Sequence, residues 1–396
     1  MNITNTQLGQ ICRILNGRAY SQHELLQQGK YPVLRVGNFF SSDRWYYSDL
    51  ELDADKYCDN GDLLFAWSAS FGPKIWDGSK VIYHYHIWKI VPNDQTDKYY
   101  LYYWLKNSVD ALTAGTHGSV MAHITKSDME HMPISVPDLE TQKKIGYVLH
   151  CIDNKISQNT AINNNLEQQI QIIFNQTFVN ASFENQGTTT LGTVCECVLG
   201  GTPSRTKAEF WNGDIPWINS GEVNKFRITK PSEYITKLGL DKSATKLLPA
   251  HTTVIAITGA TLGQISLLEI DSCTNQSVVG ILENDNVPFE FIYPFICQNI
   301  GVLLSHQTGG AQQHINKQNV EQLPLVLPIK SVLLGYKNKV EPFFKMIAKN
   351  CFENERLAAI RDALLPKLMS GEIDVSKVDI SDPSCLDKSL FNKETE

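Results

Sequence analysis

The chain has 396 residues, an ordinary apolar content of 42% and a formal net charge of −7 at pH 7. This length predicts two or three domains, while the negative charge excludes a protein that is basic all over and binds nucleic acid by charge alone. No stretch approaches the roughly 20 apolar residues of a membrane span, so we expect no transmembrane helix. The first residues lack the basic and apolar regions of a signal peptide, so we expect no signal peptide.

Residues 1–137, which we call head 1, predict a globular domain of strands and turns. Residues 80–83 have the composition of a strand set among turn residues, and residues 99–109 predict a short helix. His84 and His86, which continue the predicted strand, would project their rings to one face. Because no third ligand is nearby in the sequence, we favour a structural or surface role over a metal site.

Residues 138–185 predict a long helix and a linker. Apolar residues alternate at spacings of four and three between Ile145 and Ile173, which is typical of a coiled-coil seam. About 38 helical residues would form a rod of roughly 57 Å. A nuclease-like pattern, Asp138 with Asp153 and Lys155, falls within this helix, so we interpret Asp138 as a residue that caps the helix or complements its dipole.

The second half of the chain repeats the first. Residues 186–328 predict head 2, with a strand at 253–257 and a short helix at 289–300. Residues 329–378 predict a second long helix, and residues 379–396 predict a polar tail. The predicted seam of the second helix consists of Val340, Phe343, Ile347, Leu357, Leu364 and Leu368. His123-Ile124-Thr125-Lys126 returns as His314-Ile315-Asn316-Lys317, an offset of 191 residues shared by most of the matches. Such an offset indicates a tandem duplication.

Chain connectivity predicts how the two long helices pair. Each helix begins beside its own head, and head 2 begins soon after the first helix ends, so two paired helices must be antiparallel. The predicted fold class is therefore α/β (α+β) domains in tandem, each followed by a long helix, with an antiparallel coiled coil and pseudo-twofold symmetry. In this alignment Asn159 faces Asn354 and Asn163 faces Asn350. Buried asparagines can fix helix register at a cost in stability; alternatively, the seam only tolerates them.

The sequence contains none of the short motifs that we associate with catalysis. It has no G-x-G-x-x-G, no G-K-[ST] and no Pro-Pro dipeptide of the kind found in amino-methyltransferases. Cys195-x-Cys197 has no second pair at zinc spacing, and the nine scattered cysteines are interpreted as reduced thiols of a cytoplasmic protein. We therefore predict that the chain is not an enzyme and holds no metal.

Polar loops rich in Gly, Ser, Thr, Gln and Arg predict a DNA-binding surface. Arg and Gln side chains can read base edges with two hydrogen bonds, and backbone amides and small hydroxyls suit phosphates, although each of these residues could equally form a turn. The predicted contacts in head 1 are Arg18, Tyr20, Arg35, Lys74, Ser119, His123 and Lys126. Those in head 2 are Thr202, Ser204, Arg205, Lys207, Asn219, Lys225, Arg227, Gln276, Gln312, Gln313, His314 and Lys317.

At these loops the sequence resembles the DNA specificity subunits of Type I restriction–modification systems. Residues 200–204 (Gly-Gly-Thr-Pro-Ser), 211–218 and 312–315 look like the target-recognition domains of that family, and residues 364–373 are similar to the end of its second conserved helix. Head 1 departs further from the family pattern, with Asn-Gly-Arg at 16–18 in place of Gly-Gly-Thr. The resemblance covers nearly the whole chain.

The resemblance implies that each head reads one half of a bipartite, asymmetric target in double-stranded DNA. It also implies assembly with two modification (methyltransferase) subunits and with restriction–translocase subunits. S-adenosylmethionine, ATP and Mg²⁺ would then be cofactors of those partners and none would belong to this chain. Two alternatives stay open: a coiled-coil scaffold that joins protein partners without reading DNA, which the acidic balance suits, and a methyltransferase or nuclease in its own right, which the missing motifs disfavour.

Overall fold

The computed structural model describes residues 3–40, 44–68, 70–114, 124–179, 187–305 and 314–379. The chain divides into two compact units, which we call unit 1 (residues 1–155 and 357–396) and unit 2 (residues 156–356). Each unit therefore combines one head with segments of both long helices.

The described residues of head 1 form ten strands and four α-helices. In chain order these are β1 (Ile3–Gln7), α1 (Leu8–Ile11), β2 (Cys12–Asn16), β3 (Tyr31–Leu34), α2 (Val36–Phe40), β4 (Tyr46–Ser48), β5 (Tyr57–Cys58), β6 (Leu63–Ser68), β7 (Ser70–Ile75), β8 (Val81–Tyr83), β9 (Ile87–Pro92), α3 (Lys98–Ala114), α4 (Lys126–Glu130) and β10 (Pro133–Pro137). The strands form three sheets with the orders β1-β10, β2-β9-β6-β7 and β4-β3-β8-β5. All pairs are antiparallel except β3 with β8.

The first long helix, α5 (Leu139–Phe174), continues into one π-helical turn (Asn175–Val179). Its start is capped as predicted, because the carboxylate of Asp138 accepts hydrogen bonds from the backbone N–H and the hydroxyl of Thr141, both at 2.9 Å. These bonds lower the pKa of Asp138. Asp153 lies within the helix and accepts hydrogen bonds from Tyr103 and Arg361 of unit 1. The two carboxylates of the nuclease-like pattern therefore belong to a cap and to a helix face.

Head 2 repeats the strand order of head 1, although one of its short α-helices follows a different strand. Its elements are β11 (Thr188–Thr190), α6 (Leu191–Val194), β12 (Cys197–Leu199), β13 (Trp211–Ile218), β14 (Glu233–Ile235), α7 (Lys237–Asp241), β15 (Leu247–Leu248), β16 (Thr253–Ala256), β17 (Ile265–Leu267), β18 (Ser272–Thr274), β19 (Val278–Ile281), α8 (Phe289–Ser305), α9 (Lys317–Glu321) and β20 (Pro324–Val326), and the second long helix is α10 (Lys330–Met369). The sheets are β11-β20, β12-β19-β16-β17 and β14-β13-β18-β15. Each strand has a counterpart at the same place in a sheet of head 1, so the duplication found in the sequence extends to the topology.

The largest core of each unit lies where the head packs on the long helices. We call the sheet β2-β9-β6-β7 of head 1, and its counterpart β12-β19-β16-β17 of head 2, the central sheet. In unit 1 the core joins Phe65 and Trp88 of the central sheet to Leu149 of α5 and Leu365 of α10. In unit 2 it joins the equivalent sheet and α8 to a different set of helix residues, including Phe174, Val340 and Ile347. Burying one such side chain contributes about 1.5–3 kcal/mol, so these contacts attach each head firmly to the helix segments of its own unit.

Within unit 2 the two long helices are antiparallel. The Nδ2 of Asn159 donates to the Oδ1 of Asn354 at 2.9 Å, and the Nδ2 of Asn350 donates to the Oδ1 of Asn163 at 2.8 Å. As the residue number rises along α5, that of its partner on α10 falls. The pairing is the one predicted from the sequence, while the role of these residues in fixing register stays a prediction.

The seam differs from its predicted course at two positions of α10. Phe344 and Leu365 are the most buried residues at these levels, whereas Phe343 and Leu364 were predicted and are only half-buried. The reason is visible in unit 2, where Phe344 packs edge-on against Phe289 of α8 at 5.3 Å. The head covers the flank of the helix beside the seam, so burial shifts towards the head.

Candidate nucleic-acid interface

Three segments meet at equivalent places in the two heads. The first loop (residues 17–24 in head 1, 200–207 in head 2) follows β2 or β12. The second loop (35–40 and 219–225) follows β3 or β13. The short turn (84–87 and 275–278) follows β8 or β18 and in each head leads into the next strand, with a hydrogen bond from its fourth residue back to its first.

Backbone hydrogen bonds hold these segments together in head 1. The N–H of Gly17 donates to the carbonyl of Ile87, and that of Arg18 donates to the carbonyl of Tyr83 at 3.0 Å. The N–H of His84 donates to Leu34, the last residue before the second loop, at 2.9 Å. The short turn is thus fixed to both loops by main-chain atoms.

Head 2 uses the same bonds at equivalent positions. Gly200 donates to Val278 at 3.0 Å, Gly201 donates to Thr274 at 2.8 Å, and Asn275 donates to Ile218 at 3.0 Å. Because main-chain atoms make all of these bonds, the frame does not depend on which side chains the loops and the turn carry.

The frame requires glycine at the start of the first loop in both heads. A Cβ on Gly17 would lie 2.3 Å from the carbonyl oxygen of His84, and one on Gly200 would lie 2.2 Å from that of Asn275. Both distances are far below van der Waals contact, and the atoms approached belong to the backbone. In the structure Gly17 takes the place of Gly200 and Arg18 that of Gly201, so the glycine that the close approach demands is kept in both heads although the residues around it differ.

The turn of head 1 carries an aromatic cluster. His84, Tyr85 and His86 are consecutive, and the rings of Tyr85 and His86 lie 3.9 Å apart between centroids. Trp67 of β6 packs edge-on against His86 at 5.2 Å and donates its indole N–H to the carbonyl of Tyr85. Tyr20 of the first loop stacks on His84 at 6.3 Å. The histidines therefore lie in a turn and not in a strand, which corrects the prediction.

A cationic cleft of about 460 Å³ adjoins this cluster. The guanidinium groups of Arg35 and Arg44 both lie over the ring of Tyr46, at 5.2 and 5.4 Å from its centroid. His84 and His86 also line the cleft. Among the described residues, which leave out 41–43, no carboxylate lines the cleft. Burial, with His86 and Arg35 nearby, lowers the pKa of His84 to about 4, so its ring is neutral at pH 7 and can accept as well as donate a hydrogen bond.

Arg18 belongs to the same face but is held by an acidic neighbour. Its Nη2 donates to Glu24 of the first loop at 2.7 Å, and this bond is the largest of the causes that lower the pKa of Glu24 to about 2. Tyr20 lies below the guanidinium at 5.1 Å. The structure therefore brings Arg18, Tyr20 and Arg35 together around the short turn.

The face of head 2 carries neutral polar groups at the corresponding positions. The hydroxyl of Thr202 donates to the side-chain oxygen of Gln276, which occupies the second position of the short turn, at 2.5 Å. Ser204 of the first loop lies within hydrogen-bonding distance of Thr206, at 2.9 Å. The hydroxyls and the amide are exposed or half-buried, so they can exchange these bonds for bonds to a ligand.

Arg205 is pre-positioned on this face. Both of its terminal nitrogens donate to the carboxylate of Glu233, at 2.5 and 2.8 Å, and its guanidinium lies 3.6 Å from the ring centroid of Trp211. The side chain is still 53% exposed. A planar cation stacked on tryptophan and open on one side suits a phosphate or the edge of a base.

Two other predicted residues shape the second loop of head 2. Asn219 accepts a hydrogen bond from the N–H of Gly221 at 2.8 Å and caps a short 3₁₀ helix (Ser220–Asn224). Lys225 makes an ion pair with Glu222 at 3.2 Å, a carboxylate that also accepts two hydrogen bonds from Ser232. The side chain of Asn219 thus acts within the protein, while Lys225 stays half-exposed at the edge of the loop.

Arg227 does not lie on the face. Its side chain is fully buried in unit 2, where it donates to Glu167 of α5 at 2.7 Å and to Tyr293 of α8 at 3.1 Å. Glu269 lies 3.5 Å from its Nε. This burial argues against the DNA contact predicted for Arg227 and makes it an internal attachment of head 2 to the long helices.

Several predicted basic residues lie elsewhere in their heads. Lys74 of β7 pairs with Asp77. Lys207, by contrast, is the last residue of the first loop of head 2, and its ammonium lies over the ring of Phe210. Lys126 and Lys317 occupy equivalent positions at the starts of α4 and α9, where each pairs with a glutamate of its own helix. His314 forms an isolated antiparallel β-bridge with Thr258, which follows β16. The remaining predicted residues, Ser119, His123, Gln312 and Gln313, lie outside the described residues.

Sequence reasoning missed the short turn of head 1 as part of the interface. His84 and His86 were interpreted only as a metal site or as a structural or surface feature, and Tyr85, Arg44 and Tyr46 were not predicted to take part. The signal that could have found them was the alignment itself, since Tyr85 is equivalent to Gln276 at the shared offset of 191. In the described part of the chain, no group of three or more His, Cys, Asp or Glu side chains is arranged to hold a metal ion, and no helix is both long and apolar enough to cross a bilayer.

Comparisons with known proteins agree with the tandem duplication of the chain. The family model of the Type I restriction modification DNA specificity domain matches the chain twice, over residues 2–168 and 184–360. The chain is 25% identical over 340 residues to the Type I restriction enzyme HindI specificity subunit of Haemophilus influenzae, which covers 66% of this chain and 73% of that protein. It is 24% identical over 325 residues to the Type I restriction enzyme EcoR124I/EcoR124II specificity subunit of Escherichia coli, covering 79% and 72%.

A solved structure is also similar. The S subunit of a Type I restriction-modification system from M. genitalium superposes with a TM-score of 0.60 at 15% sequence identity, over 93% of this chain and 96% of that one. At this level of identity the superposition indicates a shared fold.

Proposed function

Because the chain belongs to the family of Type I restriction modification DNA specificity domains, we propose that it is the sequence-reading subunit of a restriction–modification complex. Each head reads one half of a bipartite DNA target. The chain works in the cytoplasm together with partner subunits that carry out the chemistry.

The observation that carries this proposal is the repeated frame with different side chains. Both heads hold a first loop, a second loop and a short turn by matching main-chain bonds. Head 1 presents arginines, histidines and aromatic rings there, and head 2 presents hydroxyls, an amide and a stacked arginine. Two equivalent surfaces with different hydrogen-bonding groups suit the recognition of two different base sequences.

The partners follow from the family and from charge. The relatives are specificity subunits of Type I restriction enzymes, so we place this chain in a complex with two modification (methyltransferase) subunits and with restriction–translocase subunits. Affinity for DNA rises with the number of phosphates that a protein neutralises. Because this chain has a net charge of −7, its partners would supply most of the positive surface.

Catalysis is assigned to the partners. We place S-adenosylmethionine in the modification subunits and ATP and Mg²⁺ in the restriction–translocase subunits, and we place no cofactor in this chain. The reaction would be methylation of adenine N6 by the partner, which must take the base out of the stack to reach it. The residues of this chain choose where that reaction occurs.

The test is reconstitution with and without the partners. The purified chain, the modification subunits and their mixture are each incubated with DNA and labelled S-adenosylmethionine, and the methylated positions are sequenced. We expect methylation at one bipartite sequence with the mixture only. Methyl transfer by the chain alone would contradict the non-catalytic role, and would support the enzyme alternative.

The scaffold alternative is distinguished by the same complexes. Binding of the mixture to duplexes with and without the methylated sequence is measured across salt concentrations. A specificity subunit should give a preference of about 10³-fold or more for its own site. Equal affinity for both duplexes, with an intact complex, would favour a scaffold that does not read DNA.

A further inference from the structure

The short turn has the same backbone in both heads but shares no side chain between them. Residues 84–86 are His-Tyr-His and residues 275–277 are Asn-Gln-Ser. The bonds that join the turn to the first and second loops are made by main-chain atoms, so this attachment does not depend on the side chains that the turn carries. In head 2 the side chain of Asn275 also accepts a hydrogen bond from the N–H of Ser277 at 3.1 Å. A fixed frame that carries exchangeable side chains is what a change of sequence specificity requires.

The second residue of the turn is exposed in both heads. Tyr85 is 39% exposed although it belongs to an aromatic cluster, and Gln276 is likewise exposed. Neighbouring residues hold both of these residues in place by hydrogen bonds. In head 1 the indole of Trp67, on β6, donates to the carbonyl of Tyr85. In head 2 the hydroxyl of Thr202, on the first loop, donates to the side-chain oxygen of Gln276. A large or polar side chain that is exposed and yet held in place loses little conformational entropy on binding.

The chemistry of the two turns fits different base edges. An oriented glutamine amide can make two hydrogen bonds to adenine in the major groove. In head 1, the neutral imidazole of His84, the ring of His86 and the phenol of Tyr85 offer hydrogen-bonding and stacking groups, and Arg35 and Arg44 beside them suit guanine or the neighbouring phosphates. The two sets would therefore select different sequences.

We propose that the short turn is a specificity-determining element of each head, with Tyr85 flanked by His84 and His86 in head 1 and Gln276 in head 2. This inference rests on the proposed function. The first loop, through Arg18 in head 1 and Arg205 in head 2, positions the turn against the DNA. The cleft beside Arg35 receives the strand that the turn of head 1 contacts.

The test exchanges the turns within the full chain, assembled with its modification subunits. One variant carries His84→Asn, Tyr85→Gln and His86→Ser; the reciprocal variant carries Asn275→His, Gln276→Tyr and Ser277→His. The methylated sequences are read for each complex. We expect the first variant to alter only one half of the target and the reciprocal variant to alter only the other half. The number of base pairs between the two halves, which we call the spacer, should stay unchanged.

A matched control uses another pair of equivalent exposed turns. Gln95→Ser and Asn286→Ser change neutral polar residues at the same offset of 191, in turns that follow the last strand of each central sheet. Both control variants should keep the parental target in both halves. An altered half-site in either control would show that the method responds to any change in a head, and would overturn the assignment to the short turn.

Single substitutions keep the proposal testable if a triple variant fails to fold. Tyr85→Ala and Gln276→Ala remove exposed groups that hold no part of the backbone frame. Binding is compared between the parental duplex and duplexes with one base pair changed in each half-site. We expect discrimination to fall on the order of ten-fold or more at one position of one half-site, and unchanged discrimination at every position would overturn the proposal.

The failure of this inference differs from the failure of the proposed function. If the parental complex methylates no defined sequence, the proposed function is wrong. If the parental complex methylates a bipartite sequence and folded turn variants methylate the same one, only the role of the turn is wrong.

Discussion

Gly200 lies where the first loop of head 2 touches the short turn, and a side chain there would strike the backbone. Its Cβ would be 2.2 Å from the carbonyl oxygen of Asn275, so Gly200→Ala must displace the loop or the turn. Overpacking of this kind costs about 1–3 kcal/mol. We expect a lower melting temperature in thermal unfolding and, in the assembled complex, weaker recognition of the half-site that head 2 reads.

Gly335 provides the matched control for this substitution. It lies within α10, and an added Cβ would meet no atom within 4 Å. Alanine favours a helix over glycine by up to about 1 kcal/mol, so Gly335→Ala should preserve or raise the melting temperature. If Gly200→Ala is as stable as Gly335→Ala and recognises the same target, the close approach is not a constraint.

Glu269 and Arg227 form a buried charged contact with a pH dependence that can be measured. Burial raises the pKa of Glu269 to about 7, outweighing the lowering by Arg227 and His251. A folded-state pKa above the ordinary value of about 4.5 means that this carboxyl supports the fold most below pH 4.5, and that the contribution is lost as the pH rises through 7. The loss amounts to roughly 3 kcal/mol at most.

Glu269→Gln should remove this dependence, because glutamine stays neutral. The free energy of unfolding is measured in urea at pH 5 and at pH 8 for the variant and the parent. The value for the variant minus the value for the parent should be larger at pH 8 than at pH 5. The exposed Glu209 serves as the control, since Glu209→Gln should change the comparison little between the two pH values. A constant difference between Glu269→Gln and the parent would mean that Glu269 is ionised across the whole range, paired with Arg227.

Single residues also mark where the sequence alone fails. Arg205 and Arg227 both lie in segments with polar loop residues and look equally suited to bind DNA, yet the side chain of Arg205 is exposed and that of Arg227 is fully buried. The partners of Arg227 are distant in sequence, with Glu167 60 residues away, so no local pattern announces the burial. Gly17 was recognised only as part of a divergent motif, because its contact with the short turn depends on pairing between β2 and β9.

At the scale of elements, the paired asparagines give the clearest test. Asn159 is 1% exposed and donates to both Asn354 and Glu353 at 2.9 Å. Replacing Asn159 and Asn354 together by leucine should raise stability, since buried polar groups give way to apolar packing. It should also permit other alignments of the two helices. Thermal unfolding measures the first effect, and distance distributions between spin labels on the two helices measure the second.

Exposed asparagines of the same helices provide the control. Asn164→Leu with Asn338→Leu makes the same chemical change on surfaces away from the seam and should leave a single distance distribution. If the Asn159 and Asn354 double variant also keeps a single, parental distribution, the seam asparagines are merely tolerated and do not set register.

Periodicity and repetition predicted most elements, and the turn chemistry accounts for the errors. Both long helices, the short helices α3 and α8 and the asparagine pairing follow from spacings along the chain. His84 to His86 were assigned to a strand because they continue an alternating run, whereas the hydrogen bond from Ile87 to His84 closes a turn there. Contact with the head also moved the burial maximum from Phe343 to Phe344, an effect that a helix pattern cannot contain.

At the scale of the whole molecule, duplication ties the architecture to the expected form of the target. The sheets of the two heads have the same strand orders, and the family model matches each half of the chain separately. Along the chain, α5 separates head 1 from head 2. Since the heads differ mainly in the groups that their loops present, a change in a helix should affect the distance between half-sites and leave their sequences alone.

This expectation can be tested by shortening both long helices. The helices have 36 and 40 residues, and deleting seven residues from the middle of each preserves the phase of the seam. The deletion removes about 10 Å of helix, which corresponds to roughly three base pairs of DNA. Sequencing the methylated positions should show a spacer shorter by about three base pairs between two unchanged half-sites.

A deletion from one helix alone is the control, because it leaves the two seams unequal in length. That variant should lose stability in thermal unfolding, which separates the effect of length from that of mismatch. If the paired deletion gives a folded and active complex with the same number of base pairs between the half-sites, the length of the helices does not set that distance. A changed half-site sequence would instead contradict the independence of the heads, because neither deletion alters a residue of the first loop, the second loop or the short turn.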